Sequence, residues 1–169
     1  MAEFRLAIIS TGGTIEKTYQ TRSGLLRNET SILDVMLDQL ELPELAIERV
    51  ALMNKDSLDM DDADHQLIAV EAHAVATRCD GVVVVHGTDR LAESGEATCS
   101  RSAAAVPIVF TGAMRPYELR DTDAIQNLVE ALAAVRLLDP GVYVAMHNKV
   151  LAFPGVVKDY EAGTFRPAD

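Results

Sequence analysis

The clearest sign of the fold is the run Gly81-Val82-Val83-Val84-Val85, in which every residue is apolar or glycine. A strand buried on one face alternates apolar and polar residues, whereas a strand covered by helices on both faces is apolar throughout. The run therefore predicts an inner strand of a parallel sheet.

Short apolar runs of this kind alternate with longer helical patterns along the rest of the chain. The predicted strands are Arg5–Ile9, Ile47–Met53, Gly81–His86, Pro107–Thr111 and Val142–His147. The predicted helices are Ser31–Leu40, capped by the polar residues Asn28–Ser31, then Asp62–Arg78, a shorter helix from Leu91, and Asp123–Leu138. Strands alternating with helices indicate βαβ units. The sequence therefore predicts an α/β fold, a three-layer α/β/α sandwich around a mainly parallel, Rossmann-like sheet, as one domain over residues 1–169.

The charge balance limits the kinds of partner. Among 169 residues, 15 Lys and Arg stand against 26 Asp and Glu, which gives a net charge of −11. Nucleic-acid binding needs a basic face for the phosphates, so we expect no nucleic-acid partner. No apolar run reaches the roughly 18 residues of a membrane span, and the N-terminus lacks the basic and apolar segments of an export signal. We therefore expect a cytoplasmic protein with no membrane partner.

Cysteines and histidines give no sign of a metal or redox site. Cys79 and Cys99 are too few and too isolated for a disulfide framework or a zinc motif. His65 and His73 lie on one predicted helix, but its rise separates them by roughly 12 Å, too far to share one ion. We predict two reduced thiols, no metal site and no cofactor.

Polar, glycine-containing or acidic segments follow four of the predicted strands. They are Ser10–Ile15, Asn54–Asp62, His86–Asp89 and Thr111–Tyr117. The carboxyl ends of parallel strands share one edge of the sheet, and ligands of such sheets bind beyond that edge. We therefore expect these segments to form one site.

Together the segments supply the parts needed for nucleophilic attack on an amide, namely hydroxyls, a carboxylate and an acidic loop. A threonine hydroxyl is a weak nucleophile at neutral pH. It needs a group that takes its proton, and backbone amides near Gly12–Gly13 or Gly87 would stabilise the oxyanion. Each segment alone also fits ordinary turn chemistry, with threonines or Asp89 serving helix ends and His86 as a hydrogen-bonded core residue. The residues by themselves leave these alternatives open.

Three segments resemble those of a known family. They are Thr11-Gly12-Gly13-Thr14-Ile15, His86-Gly87-Thr88-Asp89 and Thr111-Gly112-Ala113-Met114-Arg115-Pro116. In the same order they resemble the signatures of the L-asparaginase family of bacterial type, and the resemblance extends from residue 4 to about residue 166. It implies a cofactor-free amidohydrolase that converts L-asparagine to L-aspartate and ammonia through a threonine acyl-enzyme, with L-glutamine as a minor substrate.

The resemblance also assigns roles to single residues. Thr14 corresponds to the nucleophile, and Tyr19 resembles a lid tyrosine that lies beside it. Thr88 corresponds to a second threonine that positions the attacking water or assists proton transfer. Asp89 corresponds to the neighbouring carboxylate, which also binds the α-ammonium group of the substrate.

The remaining assignments include one departure. Asp56 and Ser57 resemble the family's clamp on the α-carboxylate and α-amino groups. The resemblance implies a lysine partner for the second threonine just before the proline of the fourth strand, but Val106 precedes Pro107. Lys158 is the candidate that replaces this lysine, with a solvated surface lysine as the alternative.

Two more departures bear on how the site closes. Arg90 stands where the family commonly has a threonine, which adds positive charge beside the second threonine. Typical family members carry a C-terminal domain that helps to close a neighbouring subunit's site, and this sequence ends at residue 169 without one. We therefore expect Ile15–Thr30, a long loop without periodicity, or a second subunit to exclude water. A homo-oligomer, dimer or tetramer, is expected for the same reason.

Two other functions remain open at this point. The first is a non-catalytic module that senses asparagine or aspartate, which the departures at the lysine and the second domain favour. The second is an amidase subunit that supplies ammonia within a transamidosome, against which the sequence offers no appended docking segment.

Overall fold

The computed structural model describes residues 3–27 and 31–169. The strands are β1 (Phe4–Gly12), β2 (Thr18–Gln20), β3 (Leu25–Arg27), β4 (Leu45–Lys55), β5 (Gly81–Val85), β6 (Pro107–Thr111), β7 (Gly141–Met146), β8 (Lys149–Ala152), β9 (Val156–Asp159) and β10 (Thr164–Pro167). The helices are α1 (Leu33–Asp38), α2 (Asp62–Ala76), α3 (Leu91–Arg101) and α4 (Ala124–Leu137), and short 3₁₀ turns span Thr14–Glu16 and Ser57–Asp59.

Six strands form one mixed sheet in the order β4-β1-β5-β6-β7-β8. The first five are parallel, and β8 pairs antiparallel with β7. Side chains on one face of the sheet pack with α1 and α4, and those on the other face pack with α2 and α3. The predicted three-layer α/β/α sandwich is thus confirmed, because the continuous apolar strands are covered on both faces.

Three local features differ from the predictions. Residues 28–30 of the predicted cap lie outside the described residues, and α1 is shorter than the predicted helix. The segment that follows β7 turns back through His147 and Asn148, whose φ values of 53° and 60° fit a type I′ hairpin turn. It continues as β8 in the main sheet, and a separate hairpin, β9–β10, follows.

The order of the strands in the sheet predicts where a ligand binds. After β1 the chain forms β4 on one side of it, and then returns to form β5 on the other side. Such a reversal opens a crevice at the carboxyl ends of the two central strands, where α/β proteins bind ligands. The segments that follow β1 and β5 border this crevice. Among the described residues, no helix has both the length and the apolar content of a membrane span.

Candidate active site

The turns that follow β1, β4 and β5 lie in direct contact. Gly13 has a φ of 85°, and a Cβ atom placed on it would lie 2.4 Å from both the nitrogen and the Cα of Gly87. A Cβ atom on Gly87 would lie 2.6 Å from Oγ of Ser57. Only glycine accommodates both the left-handed backbone and the close approach at position 13. Segments far apart in the sequence therefore meet at one crevice.

We expect Gly13→Ala to lower the free energy of unfolding more than Gly163→Ala does. Gly163 also has a positive φ, 61°, but a Cβ atom there would have no neighbour within 4 Å. The control therefore carries only the cost of the left-handed backbone, about 1 kcal/mol, whereas Gly13→Ala adds overpacking of about 1–3 kcal/mol. Urea unfolding measures both variants, and equal losses would contradict the close packing of Gly13 on Gly87.

The hydroxyl of Thr88 lies between two side chains. The ammonium of Lys158 donates to Oγ1 of Thr88 at 3.0 Å and to Oδ1 of Asp89 at 2.7 Å. The Thr88 hydroxyl in turn donates to the sulfur of Met114 at 3.4 Å. Lys158 also lies over the ring of Tyr160, 4.8 Å from its centroid. The lysine side chain is 11% exposed, so this is a largely desolvated ion pair and not a solvated surface lysine.

The resemblance implied a lysine at position 106, but that position lies at the edge of the sheet opposite the crevice. It precedes β6, which begins at Pro107 and reaches the crevice only at Thr111. A strand of this length separates the two edges by roughly 17 Å. A lysine at Val106 could not reach Thr88 in this fold, so that expectation was wrong. Lys158 reaches it from β9.

The side chain of Arg90, the residue expected to add positive charge beside Thr88, has partners on two neighbouring elements. One guanidinium nitrogen donates to the backbone carbonyl of Met60, and Nε lies 3.5 Å from a carboxylate oxygen of Glu93. The side chain therefore ties the loop after β4 to α3.

Asp56 is already paired in this structure. Its Oδ2 accepts a hydrogen bond from Nζ of Lys17 at 2.7 Å, and its Oδ1 accepts one from the amide of Leu58 at 3.1 Å. The hydrogen bond from Lys17 holds the pKa of this carboxyl below its ordinary value. Both oxygens of Asp56 therefore have donors, so a substrate ammonium would compete with them, whereas at Asp89 the lysine engages Oδ1 alone.

Ser57 presents a buried hydroxyl to the crevice. The residue is 1% exposed, and its Oγ finds no hydrogen-bond partner among the described residues. Burying an unsatisfied hydroxyl costs about 1–3 kcal/mol, so such a group is a sign of a site for a ligand.

Thr14 and Tyr19 lie on the segment after β1. Thr14 begins the 3₁₀ turn at the carboxyl end of that strand and is partly buried. Tyr19 is 54% exposed on the β2–β3 hairpin, where it pairs with Leu26, and within the described ranges no hydrogen bond joins it to Thr14. The predicted loop Ile15–Thr30 is therefore a turn and a hairpin as far as residue 27, and its remainder lies outside the described residues.

One predicted oxyanion donor is occupied. The amide of Gly13 donates to the backbone carbonyl of Lys55 at 3.1 Å, which aligns the turn after β1 with the end of β4. To stabilise an oxyanion, as predicted, the Gly13 amide would have to share its proton with this carbonyl. Gly87 remains the predicted donor.

Comparison with known proteins assigns the family. A family model described as Asparaginase, N-terminal matches residues 5–161. The chain belongs to the asparaginase family. The assignment agrees with the resemblance carried by the three glycine-containing segments.

Two curated relatives of this asparaginase-family chain differ in name. One is a subunit of the glutamyl-tRNA(Gln) amidotransferase of Haloquadratum walsbyi, 35% identical over 144 residues, which cover 84% of this chain and 33% of that protein. The other is the L-asparaginase of Thermococcus kodakarensis, 30% identical over 161 residues, which cover 94% of this chain and 49% of that protein. The chain therefore spans a third to a half of the length of these relatives.

Solved asparaginase structures share the fold. The thermostable L-asparaginase from Thermococcus kodakarensis superposes with a TM-score of 0.86 at 30% identity, over 97% of this chain and 51% of that chain. A probable cytoplasmic L-asparaginase from Campylobacter jejuni, also 30% identical with the same coverage, superposes with a TM-score of 0.76.

The histidines of this asparaginase-family chain have local partners. His86 is fully buried; its Nδ1 donates to the carbonyl of Gly87 at 2.7 Å, and its Nε2 accepts the hydrogen bond of the Ser94 hydroxyl at 2.8 Å. Burial lowers its pKa to about 4, so it is a neutral core residue, as one of the two interpretations predicted. His65 binds the same serine at 2.7 Å, and His73 binds the carbonyl of Thr98 at 2.9 Å.

The sequence analysis missed two buried carboxyl groups near the crevice. Glu16, two residues after Thr14, is 4% exposed and accepts a hydrogen bond from the Ser31 hydroxyl at 2.6 Å. Burial raises its pKa. Asp123 is also 4% exposed and supports the turn after β6. Neither has a sequence signal, because a lone acidic residue beside a turn is usually solvated.

Proposed function

We propose that this chain is an amidohydrolase that converts L-asparagine to L-aspartate and ammonia through an acyl-enzyme on Thr14. The observation that carries the proposal is the group formed by Lys158, Thr88 and Asp89, with Nζ of the lysine 3.0 Å from the threonine hydroxyl and 2.7 Å from the carboxylate. A hydroxyl held by a desolvated lysine can relay protons. The contact of Gly13 with Gly87 brings the turns that carry Thr14 and Thr88 together.

The first half-reaction forms the acyl-enzyme. Oγ1 of Thr14 attacks the side-chain amide carbon of asparagine, and the tetrahedral oxyanion accepts a hydrogen bond from the Gly87 amide. The C–N bond then breaks, and the proton of the Thr14 hydroxyl leaves with ammonia. In the second half-reaction, water attacks the ester carbon and returns a proton to Thr14. Thr88, held by Lys158, orients that water or passes its proton.

The α-groups of asparagine find complementary partners at the crevice. The unsatisfied hydroxyl of Ser57 donates to the α-carboxylate. Asp89 binds the α-ammonium group with the carboxylate oxygen that Lys158 does not hold. Asp56 contributes a second negative charge when Lys17 is displaced.

We expect Ser57→Ala to stabilise the fold while weakening binding. The substitution removes a buried, unpaired hydroxyl, so the free energy of unfolding should rise by about 1 kcal/mol. Loss of a hydrogen bond to a carboxylate should weaken aspartate binding by about ten-fold. Ser94→Ala is the matched control, because that buried hydroxyl contacts two histidines and its loss should destabilise the protein. Urea unfolding and calorimetric titration measure both effects, and destabilisation by Ser57→Ala would contradict this role.

The direct test is release of ammonia from L-asparagine and, in parallel, from L-glutamine. Turnover of L-asparagine supports the proposal, and the glutamine arm measures the expected minor activity. Tight binding of aspartate without turnover of either amide would support the sensor function instead.

A second candidate is the supply of ammonia to a tRNA-dependent amidotransferase. It is favoured by the 35% identity to a subunit of the Haloquadratum walsbyi glutamyl-tRNA(Gln) amidotransferase. The two candidates share the same chemistry at Thr14 and differ in where the ammonia goes. Asparagine turnover that appears only when an amidotransferase partner and glutamyl-tRNA are added would support the second candidate.

Three further expectations stay predictions. The Tyr19 hairpin is expected to close over bound substrate, the chain to form a homo-oligomer, and the protein to be cytoplasmic. Sedimentation at micromolar concentration tests the oligomer, and a monomer would contradict it. Slower hydrogen exchange of the hairpin at saturating aspartate would support closure.

A further inference from the structure

A buried carboxylate that the proposed mechanism does not use lies beside the crevice. Asp123 is 4% exposed, at the beginning of α4. Its hydrogen-bond donors are the amide of Arg115 at 2.9 Å, the amide of Met114 at 3.0 Å, Nδ2 of Asn127 at 2.8 Å and Nε2 of His147 at 2.7 Å. Burial alone would raise the pKa of Asp123, but the hydrogen bonds from Met114, His147 and Arg115 outweigh it and hold the pKa below its ordinary value. Two of these donors lead to Thr88.

The first path runs through Met114. Asp123 fixes the amide of this residue, and the methionine sulfur accepts the hydrogen bond of the Thr88 hydroxyl at 3.4 Å. The carboxylate therefore fixes the backbone of the residue that carries the acceptor for this hydroxyl.

The second path runs through His147 to the hairpin that carries Lys158. Nδ1 of His147 lies 3.0 Å from the hydroxyl of Thr164 on β10. Thr164 pairs with Asp159 on β9, and the residue before Asp159 is Lys158, whose ammonium donates to Thr88. Asp123 is thus connected to the groups on both sides of the Thr88 hydroxyl.

The donor of each hydrogen bond along the second path follows from which groups can only accept. A carboxylate only accepts hydrogen bonds, so Nε2 of His147 carries the proton in its contact with Asp123. In the neutral ring Nδ1 is then an acceptor, and the Thr164 hydroxyl donates to it. His147 is itself held in a left-handed conformation, with a φ of 53°, by the hydrogen bond from its amide to Oδ1 of Asn127.

We propose that Asp123, His147 and Thr164 are positioning residues that hold the Thr88 hydroxyl between Met114 and Lys158. The proposal rests on the proposed role of Thr88. Proton transfer depends on the placement of the reacting groups to a fraction of an ångström, so two fixed partners place the hydroxyl better than one. A purely structural network would stabilise the fold without affecting the chemical step.

Thr164→Val tests the proposal with least disturbance of the fold. Valine keeps the shape of threonine but cannot donate to His147. We expect kcat for L-asparagine to fall by about ten-fold to 100-fold, with KM and aspartate affinity unchanged and the protein folded. Thr164→Ser, which keeps the hydroxyl, should retain most of kcat. Thr77→Val is the matched control, because its hydroxyl binds a helix carbonyl at the end of α2, away from the crevice.

Two results would overturn the proposal. One is a Thr164→Val variant that keeps the wild-type kcat. The other is a Thr164→Ser variant that loses as much as the valine variant, since packing and not the hydrogen bond would then matter.

A second readout does not depend on turnover. The chain has four lysines, so ¹³C labelling of their Cε atoms, which leaves all three N–H donors of each ammonium in place, gives few NMR signals. Lys158→Arg assigns the signal of Lys158. Thr164→Val should shift that signal and leave those of the other lysines in place. If the wild type hydrolyses neither amide, the proposed function fails, but the shift of the Lys158 signal still tests the positioning. If that signal does not shift, the positioning proposal alone is overturned.

Discussion

Thr14→Val is expected to abolish hydrolysis of L-asparagine, with a loss of kcat of at least about 1,000-fold. Valine has nearly the shape of threonine but no nucleophile, and the backbone of the 3₁₀ turn at Thr14–Glu16 does not depend on the hydroxyl. Aspartate binding should persist, because the proposed α-group contacts come from the turns after β4 and β5. Initial-rate measurements of ammonia release and calorimetric titration with aspartate give the two results.

Thr11→Val, at the end of the preceding strand β1, provides the matched control. The Thr11 hydroxyl is buried and donates to the carbonyl of Val85 at 3.0 Å. Its loss leaves that carbonyl without its donor, so the free energy of unfolding should fall by about 1–3 kcal/mol while turnover continues. A covalent acyl adduct on Thr14 in rapid-quench mass spectrometry is the positive counterpart. Full activity of Thr14→Val would contradict the mechanism.

Lys158→Met is expected to reduce kcat by about 100-fold to 10,000-fold. Methionine keeps much of the aliphatic volume but removes the ammonium that holds Thr88 and Asp89. Without this cation the Thr88 hydroxyl loses a donor, and the Asp89 carboxylate loses its opposite charge. Steady-state kinetics with L-asparagine measure the loss.

Lys149→Met is the matched control for this substitution. Lys149 is an exposed residue of β8, near the end of β7, so its replacement should leave kcat unchanged. Adding Val106→Lys to Lys158→Met should not restore activity, because position 106 lies at the opposite edge of the sheet. Rescue by that second substitution, or wild-type kcat in Lys158→Met, would contradict the assignment.

Much of the fold follows from local pattern. The run of valines at 82–85 and the apolar runs at 5–9 and 107–111 predicted inner strands, and each is buried between helices. The convergence of the turns was predictable for the same reason, since parallel strands end at one edge of a sheet. The glycines at 13 and 87 signalled close approach, although not that they would contact each other.

What the sequence could not indicate are the contacts made across long separations. Lys158 was the candidate partner of Thr88, but the sequence left a solvated surface lysine as the alternative, because 70 residues separate the two and the β9–β10 hairpin brings them together. The two-residue turn between β7 and β8 needs positive φ values, which the pair Asn-Gly usually supplies. Here His147 and Asn148 adopt them, so the sequence carries no such signal. The pairing of Asp56 with Lys17, 39 residues away, was equally hidden.

The pairing of both crevice carboxylates with lysines also affects how the substrate asparagine enters the site and how the product aspartate leaves it. The chain carries a net charge of −11, yet Asp56 and Asp89 are neutralised locally by Lys17 and Lys158. Asparagine enters as a neutral zwitterion and feels little of the surrounding negative potential, whereas the product aspartate bears an extra negative charge and is repelled by it. The repulsion is screened over about 10 Å at 0.1 M salt. For the proposed reaction, product inhibition is therefore weakest at low ionic strength and grows as salt is added.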